Sequence, residues 1–333
     1  MNDPRSAERV PQPVVGDPVA PAGYTLVAQR RVFGSVVFAT WESPDGERLE
    51  WSSRGHRKGR PPTTPLRTTA ARRLPVFGIA PRRLAWWIAV AFTVGSVCFV
   101  AGATGAVAGP FQGWPNTLYF AGSVLFSGGA AAQLVETARA GRAVPEVEGS
   151  PRRARLRAAE ISGRPVRRLL VFIPGRLDWN AAVVQLAGTL LFNINCFFGM
   201  FTNLTHDQQD MRVWAPSTVA SLCFVIASQL AFVETMGTLV AWRPRRLEWW
   251  IVMGSLLGSW GFLLSSIAGF FLGGGMRAVV TGVLGAHGEI LWLEYAVDGV
   301  LLAGSLCFLV GTYLMIPESL AGGQSVPAAD RQS

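Results

Sequence analysis

The chain has 333 residues, of which 50% are hydrophobic and 15% are charged, and its mean hydropathy is +0.31. This composition excludes a disordered chain and argues strongly against a soluble enzyme. The formal net charge of +9 comes almost wholly from arginine, because Lys58 is the only lysine in the chain.

The N-terminal part of the chain is more polar than the rest. Residues 1–23 are rich in proline and are predicted to form a disordered tail. Residues 24–60 carry short apolar runs separated by turn signals such as Ser43-Pro44-Asp45-Gly46, which predicts a small cytoplasmic β-meander. Its strands are expected at 26–28, 36–39 and 49–51.

A run of basic residues from Arg54 to Arg60 leads into a basic linker over residues 61–81. Because apolar spans follow directly, we expect anionic lipid headgroups at the cytoplasmic face as the partner of these charges, at about 1 kcal/mol per charge. We do not expect a nucleic-acid partner.

Six stretches of the remaining sequence are apolar over about 20 residues or more, the length needed to cross a hydrocarbon core of about 30 Å. They cover residues 84–108, 118–137, 180–201, 215–241, 249–272 and 292–316. The sequence therefore predicts an all-α membrane protein with six transmembrane helices, preceded by the small β-meander.

Basic residues are distributed unevenly between the two sides of these spans. Of the 30 lysine and arginine residues, only Arg212 and Arg277 fall in the loops that follow the odd-numbered spans. Positive loops resist translocation, so both termini are predicted to be cytoplasmic. Together with the arginine-rich composition, this predicts a multi-pass protein of a bacterial inner membrane.

One pattern occurs three times along the chain. An Arg-Leu-x-Trp motif precedes each odd-numbered span, with a glycine nine residues and a phenylalanine thirteen residues after the tryptophan. Each even-numbered span carries a serine, a phenylalanine three residues later and a glutamate ten residues after that. These positions are Arg83, Arg176 and Arg246; Gly95, Gly188 and Gly258; Phe99, Phe192 and Phe262; Ser123, Ser221 and Ser305; Phe126, Phe224 and Phe308; and Glu136, Glu234 and Glu318.

This pattern predicts three parallel repeats of a two-helix hairpin in one bundle. The hairpins are assigned to residues 82–138, 176–241 and 245–319. An arginine-rich cytoplasmic linker at 139–175, with a short surface helix expected around 152–162, joins the first two. Residues 320–333 are predicted to form a disordered tail.

The repeated residues resemble the YrhK-like domain, a small two-helix membrane unit with a Gly-Ser-x-x-Phe pattern in its spans. The resemblance covers about residues 82–319 and is closest at 95–99, 122–126 and 304–308. Thr189 and Ala220 depart from the pattern in the second hairpin. The resemblance implies an integral membrane protein without an assigned activity, and it implies no catalytic residue.

The repeated charges all fall at the cytoplasmic boundary of the spans. A carboxylate entering hydrocarbon costs on the order of 2–3 kcal/mol, and a nearby arginine reduces that cost. We therefore expect the three glutamates to pair with the three arginines, within hairpins or between neighbours, as a structural clamp. A cytoplasmic gate or a proton-coupled carboxylate is the alternative interpretation.

The repeated glycine, serine and phenylalanine positions are expected to serve helix packing, because small residues let backbones approach closely in lipid. From the helical rise of about 1.5 Å per residue, the glycine of one helix lies level with the phenylalanine of its partner. A slip of one turn would instead set small residues against each other. Asn193 and Asn195 have no counterpart in the other hairpins and are candidate polar interior residues, with interhelical hydrogen bonds as the simpler interpretation.

Two functions are weighed against each other. The first is a non-enzymatic structural or interaction module, and the second is a transporter or channel for a small solute or ion through the bundle interior. No charged residue lies at mid-membrane, which disfavours ion-coupled transport. With three histidines and no nucleophile or phosphate-binding motif, we expect no catalytic residue, no cofactor and no bound metal. A homo-oligomer or a membrane-protein partner is left open.

Overall fold

A computed structural model describes residues 18, 20–60, 62, 78–108, 114–140, 175–273 and 287–321. The two predicted tails lie largely outside this range. The same holds for the greater part of both predicted linkers and for the surface helix expected around 152–162.

The N-terminal domain is an antiparallel meander of three strands, β1 (Thr25–Val32), β2 (Ser35–Glu42) and β3 (Arg48–Ser52), in the order β1-β2-β3. Gly34 and Gly46, both at φ 82°, lie in the two connecting turns, where a left-handed backbone favours glycine. The predicted three-stranded sheet is confirmed. The chain then enters a short helix that the sequence pattern did not predict, α1 (Ser53–Arg57).

Six long helices follow: α2 (Leu84–Val107), α3 (Trp114–Ala140), α4 (Leu177–Gly199), α5 (Ala215–Met236), α6 (Leu247–Gly273) and α7 (His287–Ala321). A short helix, His206–Gln209, and a π-helical turn, Asp210–Trp214, lead into α5. Each of the six is long and apolar enough to cross a membrane, as predicted, and together they fit a multi-pass integral membrane protein.

The fourth long helix ends earlier than predicted. The apolar stretch runs to residue 241, but α5 ends at Met236, because Gly237 adopts φ 75° and donates its backbone N–H to the Val233 carbonyl at 2.7 Å. This left-handed cap is one that glycine adopts without strain. Gly237 lies against Phe38 of the sheet, so the cap also gives the N-terminal domain room at this helix end.

The six helices form a closed ring in chain order. Each helix packs on its two neighbours, and α7 closes the ring by packing on α2. We call the end of the ring that carries the N-terminal domain the domain end, and the opposite end the far end.

A cluster of aromatic rings fills the middle of the ring. The centroids of Phe99, Phe192 and Phe262 are 5.6 to 5.7 Å apart, although these residues come from α2, α4 and α6, which are not neighbours in the ring. Their contacts therefore lie on the ring axis. We call the whole buried set the phenylalanine cluster: Phe92, Phe99, Phe126, Phe192, Phe224, Phe262 and Phe308.

Candidate functional site

The candidate site lies at the domain end, where α1 meets the ends of the long helices. Ser52 caps α1, because its hydroxyl accepts a hydrogen bond from the Gly55 N–H at 3.1 Å. Residues three and four apart share one face of a helix, so Arg54, Arg57 and Lys58 project together. Their side chains are 9%, 4% and 7% exposed, respectively.

The last turns of α3, α5 and α7 bring three carboxylates to the same place. Glu136, Glu234 and Glu318 are 7%, 1% and 2% exposed. Buried charges of one sign are stable only if each is matched by an opposite charge and by hydrogen bonds. The helix ends therefore form a buried cluster of carboxylates that requires cations.

Two of the three carboxylates are matched by arginines of α1. Arg54 binds Glu318 through two parallel hydrogen bonds, Nε to Oε1 at 2.8 Å and Nη2 to Oε2 at 2.9 Å. Arg57 donates to Glu234 Oε2 at 3.1 Å, and the Ser53 hydroxyl donates to the other oxygen at 2.9 Å. Bidentate and charge-assisted bonds of this kind are the strong ones in proteins.

The third carboxylate is matched by the only lysine in the chain. Lys58 Nζ lies 3.5 Å from Glu136 Oε2, and that oxygen accepts no hydrogen bond from the described residues. Outside this pair, Arg60 contacts Glu248 at 3.4 Å and donates to the Glu318 carbonyl oxygen at 3.1 Å. We call the three buried pairs the ionic lock: Arg54–Glu318, Arg57–Glu234 and Lys58–Glu136.

Burial affects the three cations with different outcomes. Burial alone would lower the pKa of Arg54, but the charge and hydrogen bonds of Glu318 outweigh it and the pKa is raised. The pKa of Arg57 is raised in the same way, chiefly by Glu234. For Lys58, burial exceeds the attraction of Glu136, and the pKa is lowered. Lys58 is therefore the least strongly held cation of the lock.

These contacts correct the predicted partners of the repeated glutamates. Arg83 donates instead to the backbone carbonyl of Ser319 at 2.8 Å, and Arg176 donates to the carbonyl of Thr137 at 3.4 Å and pairs with Asp178. Arg246 lines a surface cleft between the sheet and the helices. The last carbonyls of a helix have no intrahelical partner, which explains why arginine at the next helix start binds them.

Apolar contacts hold the sheet on the same end of the ring. Val37 of β2 packs with Leu177 of α4 and Val233 of α5, and these three residues are 0%, 4% and 0% exposed. Burying a valine or leucine side chain contributes about 1.5–3 kcal/mol. The domain is thus held by an apolar contact beside a charged one.

The repeated small residues bring the helices of each pair close together. A methyl group added at the repeated glycines would lie within 3.0 Å of the phenylalanine ring on the paired helix. The pairs are Gly95–Phe126, Gly188–Phe224 and Gly258–Phe308. Of the two helix registers that the sequence left open, this is the one in which the glycine of one helix lies level with the phenylalanine of its partner.

The repeated serines are buried but bond mainly within their own helices. Ser123, Ser221 and Ser305 are each 0% exposed. Ser123 donates to the Phe120 carbonyl at 2.7 Å and Ser305 to the Leu301 carbonyl at 2.8 Å, while Ser221 lies 3.3 Å from the Ser266 hydroxyl of α6. Small size, more than interhelical bonding, is what these positions supply to the packing.

The two candidate amides have different surroundings. Asn193 donates to the Ser127 hydroxyl of α3 at 2.8 Å, which is an interhelical hydrogen bond, and its Oδ1 accepts no hydrogen bond from the described residues. Asn195 is 9% exposed and lines a cavity in the far half of the ring, and its Oδ1 accepts no hydrogen bond from the described residues.

Two cavities lie on opposite sides of the phenylalanine cluster. The one next to the lock has a volume of about 80 Å³, and its lining residues include Lys58, Glu136, Gln133 and Gln185. The far cavity has a volume of about 210 Å³ and includes Asn195 among its lining residues. Phe126 and Phe308 line the first cavity, whereas Phe99, Phe192 and Phe262 line the second.

Sequence reasoning missed the role of Arg54, Arg57 and Lys58, which it assigned to a lipid-facing run. The available signal was their spacing directly after two serines, which is typical of a capped helix with one basic face. The match of three such cations to three repeated glutamates was also visible. What the sequence could not indicate was that the chain folds back to bring them together.

No protein-family model, no curated protein and no solved structure matches this chain. The class of protein is therefore defined by the structure itself, which fits a multi-pass integral membrane protein with a small β-sheet domain seated on one end of a helix ring. The resemblance to the YrhK-like domain stays a prediction.

Proposed function

We propose that this protein is a non-enzymatic module of the bacterial inner membrane, built from three repeated YrhK-like hairpins. In this proposal both termini are cytoplasmic, and the ionic lock holds the N-terminal domain on the bundle as a structural or interaction element. The observation that carries the proposal is the charge match in the lock. Each helix pair provides one buried carboxylate, and one short segment provides the three cations.

The chemistry of buried ion pairs supports a docking role for the lock. Replacing a buried ion pair by apolar residues of similar size is often neutral or stabilising, whereas removing one partner is strongly destabilising. A helix end that needed only stability would be served by apolar residues. Charged residues instead favour the one segment that carries the matching charges, which is what a specific docking site requires.

We propose lipid and protein partners for this module. Anionic lipid headgroups attract basic residues next to membrane spans, and the basic linker sequences beside the spans are proposed to bind them. A second copy of the chain or another membrane protein would contact the lipid-facing sides of the ring.

The single lysine of the chain makes the docking of the N-terminal domain directly measurable. Because Lys58 is the only lysine, an amine-reactive reagent reports on the lock at one side chain, and mass spectrometry separates that label from the N-terminal amine. We expect slow labelling of the native protein in membranes and at least about tenfold faster labelling of the Glu136→Gln, Glu234→Gln, Glu318→Gln triple variant. Arg48→Gln, which removes only an exposed pair, is the matched control.

Equal labelling of Lys58 in the native protein and the triple variant would contradict the docking proposal. A detergent-unfolded sample sets the upper limit of the labelling rate. Circular dichroism of the triple variant separates release of the domain from loss of the helix bundle.

One observation favours a second candidate function, a gated pathway for small cations along the ring axis. The two cavities lie on the axis on either side of the phenylalanine cluster, and each contains a carboxylate, Glu136 in one and Asp298 in the other. Rings of acidic side chains and dewetting hydrophobic constrictions are recurring parts of cation channels.

Ion flux into proteoliposomes separates the two functions. Arg54→Glu should release the lock while Glu136 stays in place, and Phe262→Ala widens the constriction. In that double variant the pathway function predicts potassium or sodium flux, whereas the module function predicts no flux above that of empty vesicles.

A further inference from the structure

The far half of the ring contains a cavity that the function proposed above does not use. It has a volume of about 210 Å³ and lies on the opposite side of the phenylalanine cluster from the ionic lock. Phe99, Phe192 and Phe262 line it, and Tyr119 and Trp214 add two more aromatic side chains. A space of this size holds several water molecules or one small organic molecule.

Two polar atoms of this cavity accept or donate no hydrogen bond among the described residues. Asn195 is 9% exposed, and its Oδ1 atom accepts no hydrogen bond from the described residues. The buried hydroxyl of Tyr119 is likewise without a hydrogen-bond partner among them. Asp298 lines the same cavity and adds a carboxylate. Buried polar atoms are nearly always hydrogen-bonded, so the Asn195 oxygen calls for an occupant that carries a donor, and the Tyr119 hydroxyl can accept a hydrogen bond from the same occupant.

We propose that this cavity is a binding site for a small alkylammonium cation. The N–H groups of such a cation match the Asn195 amide oxygen and the Tyr119 hydroxyl, and its charge is opposite to that of Asp298. Its alkyl part fits the aromatic wall, since the faces of aromatic rings attract cations. Among the described lining residues there is no lysine or arginine that would favour an anion.

The adjacent amide of the same helix provides a matched reference for this proposal. Asn193 lies two residues before Asn195 in α4, but its side chain donates to Ser127 and is not among the residues that line the cavity. A change at Asn193 disturbs the same helix without touching the proposed site.

The probe for this site is ethylammonium chloride, added to the purified full-length protein in a mild detergent. Thermal unfolding is followed by tryptophan fluorescence, with sodium chloride at the same ionic strength as the reference. We expect saturable stabilisation by ethylammonium that sodium does not reproduce. Asn195→Leu and Asp298→Asn should each raise the apparent Kd at least about tenfold, because each removes a partner of a charged ligand. Asn193→Leu should leave the Kd unchanged.

Three results would overturn the proposal. They are equal stabilisation by sodium chloride, no saturable binding of ethylammonium up to about 100 mM, and equal loss of affinity in Asn193→Leu and Asn195→Leu. If Asn195→Leu does not fold, Asp298→Asn and Tyr119→Phe decide the matter, since both preserve side-chain shape. An unchanged Kd in both of these variants also overturns the proposal.

Discussion

The strongest contact of the ionic lock is the bidentate pair between Arg54 and Glu318. Arg54→Ala leaves the Glu318 carboxylate buried and without its main partner, which should lower the free energy of unfolding by about 3–5 kcal/mol. The matched control is Arg48→Ala, because Arg48 and its partner Glu42 have side chains 59% and 31% exposed. An exposed pair contributes only about 0.2–1 kcal/mol.

Thermal unfolding of both variants in the same detergent checks this difference. The prediction is contradicted if the two midpoints shift by similar amounts. It is supported if Arg54→Ala is much the less stable while its helix content before unfolding is unchanged.

The lowered pKa of Lys58 predicts a dependence of stability on pH. Burial disfavours the charged ammonium, so between its lowered pKa and the ordinary lysine value of 10.5 the unfolded chain binds more protons than the folded one. Stability contributed by this group is therefore smallest below the lowered pKa and increases as the pH rises through that window. Lys58→Met removes the titrating group and with it this dependence.

Unfolding midpoints of the native protein and Lys58→Met, measured at several alkaline pH values, test the sign of the effect. The native protein should gain stability relative to the variant as the pH approaches 10.5. Parallel curves, or a relative loss for the native protein, would show that burial does not lower the pKa of Lys58.

At the scale of the helices, α2 and α3 approach closely at several glycines, of which Gly122 faces the backbone of the partner helix. A methyl group on Gly122 would lie 2.9 Å from the Gly95 carbonyl oxygen and 3.1 Å from the Cys98 Cβ atom. Because backbone atoms cannot move aside cheaply, Gly122→Ala should separate the two helices and lower stability by about 1–3 kcal/mol. Gly128 of the same helix has nothing within 4 Å, so Gly128→Ala should be neutral or stabilising by up to about 1 kcal/mol.

The measurement is the thermal unfolding midpoint of the two alanine variants in one detergent. The expected result is a lower midpoint for Gly122→Ala and an unchanged or higher midpoint for Gly128→Ala. A loss of stability in both would indicate that α3 needs glycine for a reason other than the approach of α2.

The elements themselves were largely predictable from the sequence. Apolar length predicted the six long helices, and the turn signal at 43–46 and the alternating runs predicted the sheet. The end of α5 was not predictable from hydropathy, because Leu239 and Val240 continue the apolar stretch beyond the glycine cap at Gly237. Cap geometry decides such ends, and a hydropathy pattern does not contain it.

The partners within the candidate site were predictable only in part. The three glutamates were identified because they recur at one spacing. Their partners lie far away in the chain, as the pair of Arg54 and Glu318 shows. Local spacing favoured the nearer Arg83, Arg176 and Arg246. The side chains of Arg83 and Arg176 bind helix-end carbonyls instead, and Arg246 lines a surface cleft. Competition between partners of equal charge is settled by the three-dimensional path of the chain, which a single sequence does not specify.

At the scale of the whole molecule, the ionic lock joins two parts of the chain that differ in fold. Arg54→Glu places a fourth carboxylate among three buried ones, so we expect the N-terminal domain to detach and Lys58 to label at least about tenfold faster. Exchanging the charges, with Arg54→Glu and Glu318→Arg together, restores an opposite pair at the same place. Comparing the two single variants with the double variant isolates the interaction energy between the two residues. The double variant should therefore regain a clear part of the protection of Lys58 from labelling. Labelling as fast in the double variant as in Arg54→Glu would mean that the pairing of Arg54 with Glu318 does not hold the domain. Slow labelling of Arg54→Glu itself would mean that the apolar contact of Val37 with the helix ends holds it instead.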